Sequence, residues 1–218
     1  QYLPWAPYFK KIAAVDIFVL MDNVQYQNNG VQNRNKIRNA SGDFWLTVPV
    51  TGHLSDTIQE KKVANRQWQL KHWKSIHMSY VKSPFWKLYA EELEAIYLGQ
   101  TYATLGEVNE RLLKFLLTRL GIATPVVLLS SLGIEARKSD LVLQICEKLE
   151  VNEYISGTGS MGYLEEERFR ERGVSIHYMA SVPPSYSQFH GEFIPSLSML
   201  DMMMNVQPGD IRRYLLNA

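Results

Sequence analysis

The stretch from Asp16 to Arg38 constrains the fold most, because it joins a short unbroken apolar run to a dense polar segment. The apolar part, centred on Phe18 and Val19, has the length and continuity of a strand buried on both faces, as in parallel sheets covered by helices. The polar part carries Asp22, Gln25, Asn33, Arg34, Lys36 and Arg38, and Gln32-Asn33-Arg34-Asn35-Lys36 offers more donors than a turn requires. In open parallel sheets, ligands bind beyond the carboxyl ends of the strands. The pattern therefore predicts a polar loop that leaves a strand and forms half of a site for an anionic substrate. A plain solvated connection has the same residue types.

A second stretch supplies the other half. Tyr154-Ile-Ser reads as a strand running into Ser156, Gly157, Thr158, Gly159, Ser160 and Gly162, with Glu165, Glu166 and Glu167 opening a helix. Small residues with exposed N–H groups at a helix start suit a phosphate or carboxylate, and a tight turn is the bland alternative. The letters Gly-x-Gly-x-x-Gly occur here, but no acidic residue stands about twenty positions on at a second strand end, so a dinucleotide fold is not expected.

The remaining pattern alternates strands and helices. Two early prolines, Pro4 and Pro7, predict an extended entry and then a short helix to about Ala14. Phe44 to Val50 reads as a strand, Arg66 to Leu98 as two helices broken at Ser83-Pro84, and Thr104 with Glu107 as a capping box on a helix stopped by Gly121. Pro125 to Ser131 is a strand with Ser130 and Ser131 at its carboxyl end. Ser139 or Asp140 caps the next helix, Val174 to Met179 is the last strand, and a polar-aromatic loop leads to a Met-rich helix. That loop brings Gln188, His190 and Glu192 close in sequence, while Asp201 and Asn205 share one helix face. The chain is expected to be one α/β domain over 1–218, with a mostly parallel central sheet flanked by helices and a helical insertion at about 60–120.

Composition narrows the function classes. Lys and Arg total 23 against 22 Asp and Glu, so nothing supports a nucleic-acid partner bound through bulk charge. His72 and His77 are five apart, not the four that a helical metal pair needs, and no zinc site is expected. The single cysteine, Cys146, falls on an apolar helical position and reads as core. No apolar run approaches the roughly 18 residues of a membrane span, and with no signal peptide the cytoplasm is the expected location. The chain opens at Gln1 and not at methionine, so a first strand upstream is expected.

Taken together, Tyr2-Leu-Pro-Trp, Asp16-x-Phe18-Val19, Asp22-x-Val24-Gln25-Tyr26, Asn33-Arg34-x-x-Ile37 and Leu46-x-Val48-Pro49 resemble the WbqC-like family. So do Tyr154-Ile-Ser-Gly, Gln188-x-x-Gly191-x-Phe193-x-Pro195 and Leu197-Ser198-x-x-Asp201-x-x-x-Asn205. Two departures stand out: the His-Gln-Pro triplet that members carry just before Tyr-Leu-Pro-Trp is not in this chain, and Pro7 replaces a glycine. The resemblance implies surface-polysaccharide (O-antigen) biosynthesis and a proposed glycine transferase acting on a nucleotide-linked amino sugar. The order of elements is also similar to nucleotidylyltransferase-like and adenylating folds, a fold-level analogy. It implies ATP with Mg²⁺ as cofactors, an acyl-adenylate formed from a carboxylate, and attack by the sugar amine.

On that reading Arg34, Lys36, Gln25 and Asn33 hold the substrate with Ser156, Gly157, Thr158, Asp201 and Asn205. Asp22 binds a metal or a sugar hydroxyl, and His190 or Glu192 takes the amine proton. The alternatives are nucleotidyl transfer from a nucleoside triphosphate, or a non-catalytic sugar-nucleotide binding or scaffold protein. A homo-oligomer is compatible with the Met-rich helix.

Overall fold

The computed structural model describes residues 1–216. Helix α1, Ala6–Ala13, starts at Pro7 in its first turn, where a missing N–H costs nothing, and buries Phe9 and Ile12. Strand β1, Phe18–Leu20, pairs in parallel with β6, Val126–Leu128. A second parallel pair joins β7, Glu153–Gly157, to β8, Ser175–Met179. Two antiparallel pairs complete the strands: β2, Arg34–Asn39, with β3, Gly42–Thr47, and β4, Val50–Thr51, with β5, Lys62–Val63. The fold is mixed α/β, as expected. Its strands form four separate two-stranded sheets among the described residues, however, and not the continuous central sheet read from the sequence.

The helices α2, Gln67–Tyr80, α3, Ala90–Leu98, and α4, Leu105–Leu120, pack with α1, β2, β3 and the C-terminal helices α7, Met199–Asn205, and α8, Pro208–Leu216, around the largest core cluster. Thr104 and Glu107 form the predicted reciprocal capping box of α4, and Gly121 closes it in a left-handed conformation at φ 68° that a side chain would resist. Met199, Met203 and Met204 are fully buried, so these methionines fill the core. The remaining helices are α5, Lys138–Lys148, and α6, Glu166–Glu171. The residue flanking α5 on its amino side is Arg137, and neither Ser139 nor Asp140 caps it; Ser139 is buried and accepts from the Glu165 N–H. Around β7 and β8, α5 and α6 build a smaller cluster from Val142, Leu143, Cys146, Leu164, Phe169 and Val174. No helix among the described residues is long and apolar enough to cross a membrane.

Candidate functional site at the carboxyl ends of the parallel strands

Just past β1, the buried Asp22 carboxylate accepts from the Ser130 N–H at 3.0 Å and the Ser130 hydroxyl at 2.5 Å. Two strand ends far apart in sequence are thus tied together, and the acid satisfies the donors of the tight turn that follows β6. Gln25 is exposed nearby and donates to the Leu54 carbonyl at 3.1 Å.

Past β7 the chain makes one short 3-10 turn, Thr158–Ser160, and α6 begins only at Glu166. The glycine-rich loop therefore does not sit on a helix N-terminus as predicted. Ser156 and Ser160, both buried, bond each other at 2.6 Å, and Ser160 donates to the Gly157 carbonyl at 2.8 Å. These hydroxyls are engaged within the loop, while Thr158 and Gly159 are exposed.

The run Asn33 to Arg38 is not a loop. Residues 34 to 39 form strand β2, and the structure corrects the reading for a physical reason: the residues alternate, with Asn35 and Ile37 facing in and Arg34 and Lys36 facing out. Asn33 and Asn35 are buried and donate to the Val48 and Leu3 carbonyls at 2.9 and 2.7 Å, which fixes neighbouring backbone. Arg34 lies over the exposed Trp45 ring at 4.4 Å and donates to the Asn29 carbonyl. Lys36 pairs with Asp43 at 2.6 Å and holds that carboxyl below its usual range by hydrogen bonding.

The C-terminal candidates converge on one another. Asp201, fully buried, accepts from the Tyr80 and Tyr186 hydroxyls at 2.8 and 2.9 Å, and burial pushes its carboxyl above the usual value. Beside it, Arg38 donates to Gln188 Oε1 at 2.5 Å and to the Glu192 carbonyl at 2.6 Å. His190 Nε2 is 2.9 Å from the Ser79 carbonyl, which can only accept, so Nε2 is the donor of this bond. Asn205 accepts from the Phe189 N–H at 2.8 Å and donates to the Asp201 carbonyl at 2.7 Å. Nothing in the sequence marks Tyr80 and Tyr186 as partners of Asp201; Tyr80 has only the spacing of a helical core position.

A cavity of about 740 Å³ runs along β1 and β7, from residues preceding both strands to Met21 and Ile155 near their carboxyl ends. Its wall takes in Met21 and Ile155, the neighbours of Asp22 and Ser156, and Lys11, whose ammonium burial shifts downward. It includes none of the candidate residues, neither Asp22, Gln25, Ser156, Gly157 and Thr158 at the strand ends nor Asn33, Arg34, Lys36, His190, Glu192, Asp201 and Asn205. The candidates therefore fall in three places: the strand ends, the β2–β3 hairpin and the C-terminal network. Cys146 is buried in the core, where desolvation raises its thiol to about 11, out of reach of nucleophilic use. Among the described residues, no three His, Cys, Asp or Glu side chains group as metal donors.

The WbqC-like protein family model matches residues 1–213. The chain belongs to that family. An uncharacterized protein of Mycobacterium tuberculosis is 31% identical over 219 residues, covering 98% of this chain and 95% of its own length. No solved structure matches the chain. In this WbqC-like chain, the residues that carried the resemblance are spread over all three places: Asp22 and Ser156 at the strand ends, Asn33 and Arg34 at the hairpin, and Gln188, Asp201 and Asn205 in the C-terminal network.

Proposed function

We propose that this WbqC-like chain is a single-domain transferase of surface-polysaccharide (O-antigen) synthesis. It moves an acyl or aminoacyl group, glycine in the simplest case, onto the amine of a nucleotide-linked sugar. The observation that carries the site assignment is that β1, paired in parallel with β6, and β7, paired in parallel with β8, line the same cavity. Crevices beyond the carboxyl ends of parallel strands are where open α/β sheets take ligands. The exposed Thr158–Gly159 backbone offers N–H groups to a phosphate, and Gln25 is available to a sugar hydroxyl. Asp22 orders that edge through Ser130. Arg34 and Lys36 on the hairpin and His190 in the C-terminal network do not line this cavity, so they belong to the alternative in which the anion sits on the hairpin.

The test is a thermal-shift screen of the protein against ATP, UDP-sugars and dTDP-sugars, each with and without Mg²⁺. A ligand at 100 times its dissociation constant stabilises by about 2.7 kcal/mol. A shift with a sugar nucleotide supports transfer to it; a shift with ATP and Mg²⁺ supports activation of the carboxylate on this same protein. Absence of any shift at millimolar ligand overturns the reading in favour of a scaffold.

A further inference from the structure

Residues 61 to 90 hold seven Lys and Arg and no Asp or Glu, in a chain whose totals nearly balance, so the remainder is net negative. Helix α2 lies at the centre of this basic stretch. Its rotation is fixed by the core, which buries Trp68, His72, Trp73, Ile76 and Tyr80. Leu70, Lys74, Met78 and Val81, spaced by fours and a three, therefore form one stripe on the opposite side. Lys71 and Lys82 flank Met78 at helical spacing on the same side.

The stripe is open: Leu70 is 47% exposed, Met78 79% and Val81 41%. Trp73 stacks on Trp86 at 5.6 Å and His77 meets the same ring edge-on at 5.4 Å, which pins the 3-10 turn Trp86–Leu88 beside this end of the helix. That turn adds Lys87 and Leu88, both exposed. Among the described residues, none of Lys71, Lys74, Lys82 and Lys87 enters an ion pair. The first acids after them, Glu91, Glu92 and Glu94, come with α3, and Glu92 is taken by Arg111 and Arg119.

Single exposed apolar side chains are ordinary, but four large ones set among unpaired lysines make a patch. Its chemistry selects the partner. Protein interfaces are enriched in Arg and aromatic residues and depleted in Lys. Here every charge of the stripe and the turn is Lys, and the exposed apolar residues are Leu, Met and Val. Lysine stems lie along an apolar boundary while their ammonium groups reach anionic phosphates, and aliphatic side chains between them enter the boundary itself.

We propose that the exposed side of α2 and the Trp86–Leu88 turn docks on an anionic phospholipid surface. The helix lies in the plane of the interface, with Lys71, Lys74, Lys82 and Lys87 on the lipid phosphates and Leu70, Met78, Val81 and Leu88 entering among the headgroups. No residue of this surface lines the cavity, so the inference stands whether or not the chain is a transferase.

Vesicle sedimentation tests it, with phosphatidylcholine alone and with phosphatidylcholine mixed equally with phosphatidylglycerol. The protein should pellet with the mixed vesicles only, and molar salt should release it. Joint replacement Lys71→Gln and Lys74→Gln should lower the partition about fivefold per lysine. Joint replacement Leu70→Ser and Met78→Ser should weaken it with every lysine in place. All four side chains are exposed, so neither pair should move the melting temperature. Equal pelleting with neutral vesicles, no pelleting with anionic vesicles at low salt, or indifference to the Leu70 and Met78 pair overturns the proposal. That last result, with polyglutamate displacing the vesicles, assigns the face to an acidic protein instead. Should a variant not fold, the lipid and salt dependence of the unaltered protein still decides.

Discussion

The two sides of the molecule treat their polar residues in opposite ways. On the side built from the β2–β3 hairpin, α2 and α7, buried polar groups face one another: Asp201 is held by two tyrosines, Arg38 by Gln188 and a carbonyl, His72 by Tyr2 and Thr47. On the side of the parallel pairs, β1 and β7 border a cavity, and the Thr158–Gly159 loop beyond β7 is exposed. Sequence alone shows clustered Asn, Arg, Asp or Ser residues on both sides. The difference teaches that polar clustering marks a site only where the groups remain open; where they close on one another, they specify the packing.

The sharpest way to break this comparison is at Asp201. Replacing it with alanine leaves the Tyr80 and Tyr186 hydroxyls without their acceptor and removes the carboxylate beside Arg38. Loss of one partner from a buried charged network costs about 3–5 kcal/mol. Urea denaturation should show that loss. A change below about 1 kcal/mol, with binding destroyed instead, would move Asp201 from the packing to the site.

The second test is pH. His72 is buried, and desolvation lowers its imidazolium to about 4 from an ordinary 6.5, against a smaller opposing effect of the bond to Thr47. Because Nε2 must donate to the Thr47 carbonyl, Nδ1 accepts from Tyr2, and Tyr97 donates to Tyr2 at 2.6 Å. A depressed value means that the unfolded chain binds the proton first. Stability is complete above pH 6.5 and declines as the pH falls toward 4, by about 3 kcal/mol in all. A His72→Gln variant should be less stable at neutral pH but flatter over this window. An unchanged slope would remove His72 from the acid response.

A third, smaller effect is expected at the carboxyl edge. Asp22→Asn keeps one acceptor and loses the other, so the Ser130 N–H or hydroxyl goes short, at a cost of about 1–2 kcal/mol. If Asp22 also touches substrate, binding falls by more than stability does, which denaturation and a thermal-shift titration read separately.

Much of the architecture was legible because local chemistry fixed it. Thr104, Glu107 and Gly121 define α4 from both ends, and the apolar runs at Phe18 and Val126 become the paired strands β1 and β6. Asp22 and Ser130 were each legible as strand-end residues, but their meeting was not, because it depends on the pairing of β1 with β6. The hairpin strand β2 was misread because donor density masked the alternation of Asn35 and Ile37 with Arg34 and Lys36. The tyrosine pair around Asp201 had no local signal, since Tyr80 and Asp201 lie 121 positions apart and meet only through tertiary packing. The separation into four sheets was equally invisible, because periodicity identifies strands and not their neighbours.

The smallest stability effect should accompany the most informative change in binding. At Gly159 an added Cβ meets nothing within 4 Å, and the residue does not have a positive φ. Gly159→Ala therefore fits the folded loop, and its effect on stability should stay within about 0.5 kcal/mol, with a slight gain from the stiffer unfolded chain. A phosphate bound by this exposed backbone would meet the new methyl where it needs to approach the N–H groups. Loss of the sugar-nucleotide shift with an unchanged melting temperature would place the phosphate at this loop. Binding equal to the parent's would assign the anion to Arg34 and Lys36 on the hairpin, and with it the open side of the comparison would lose its ligand.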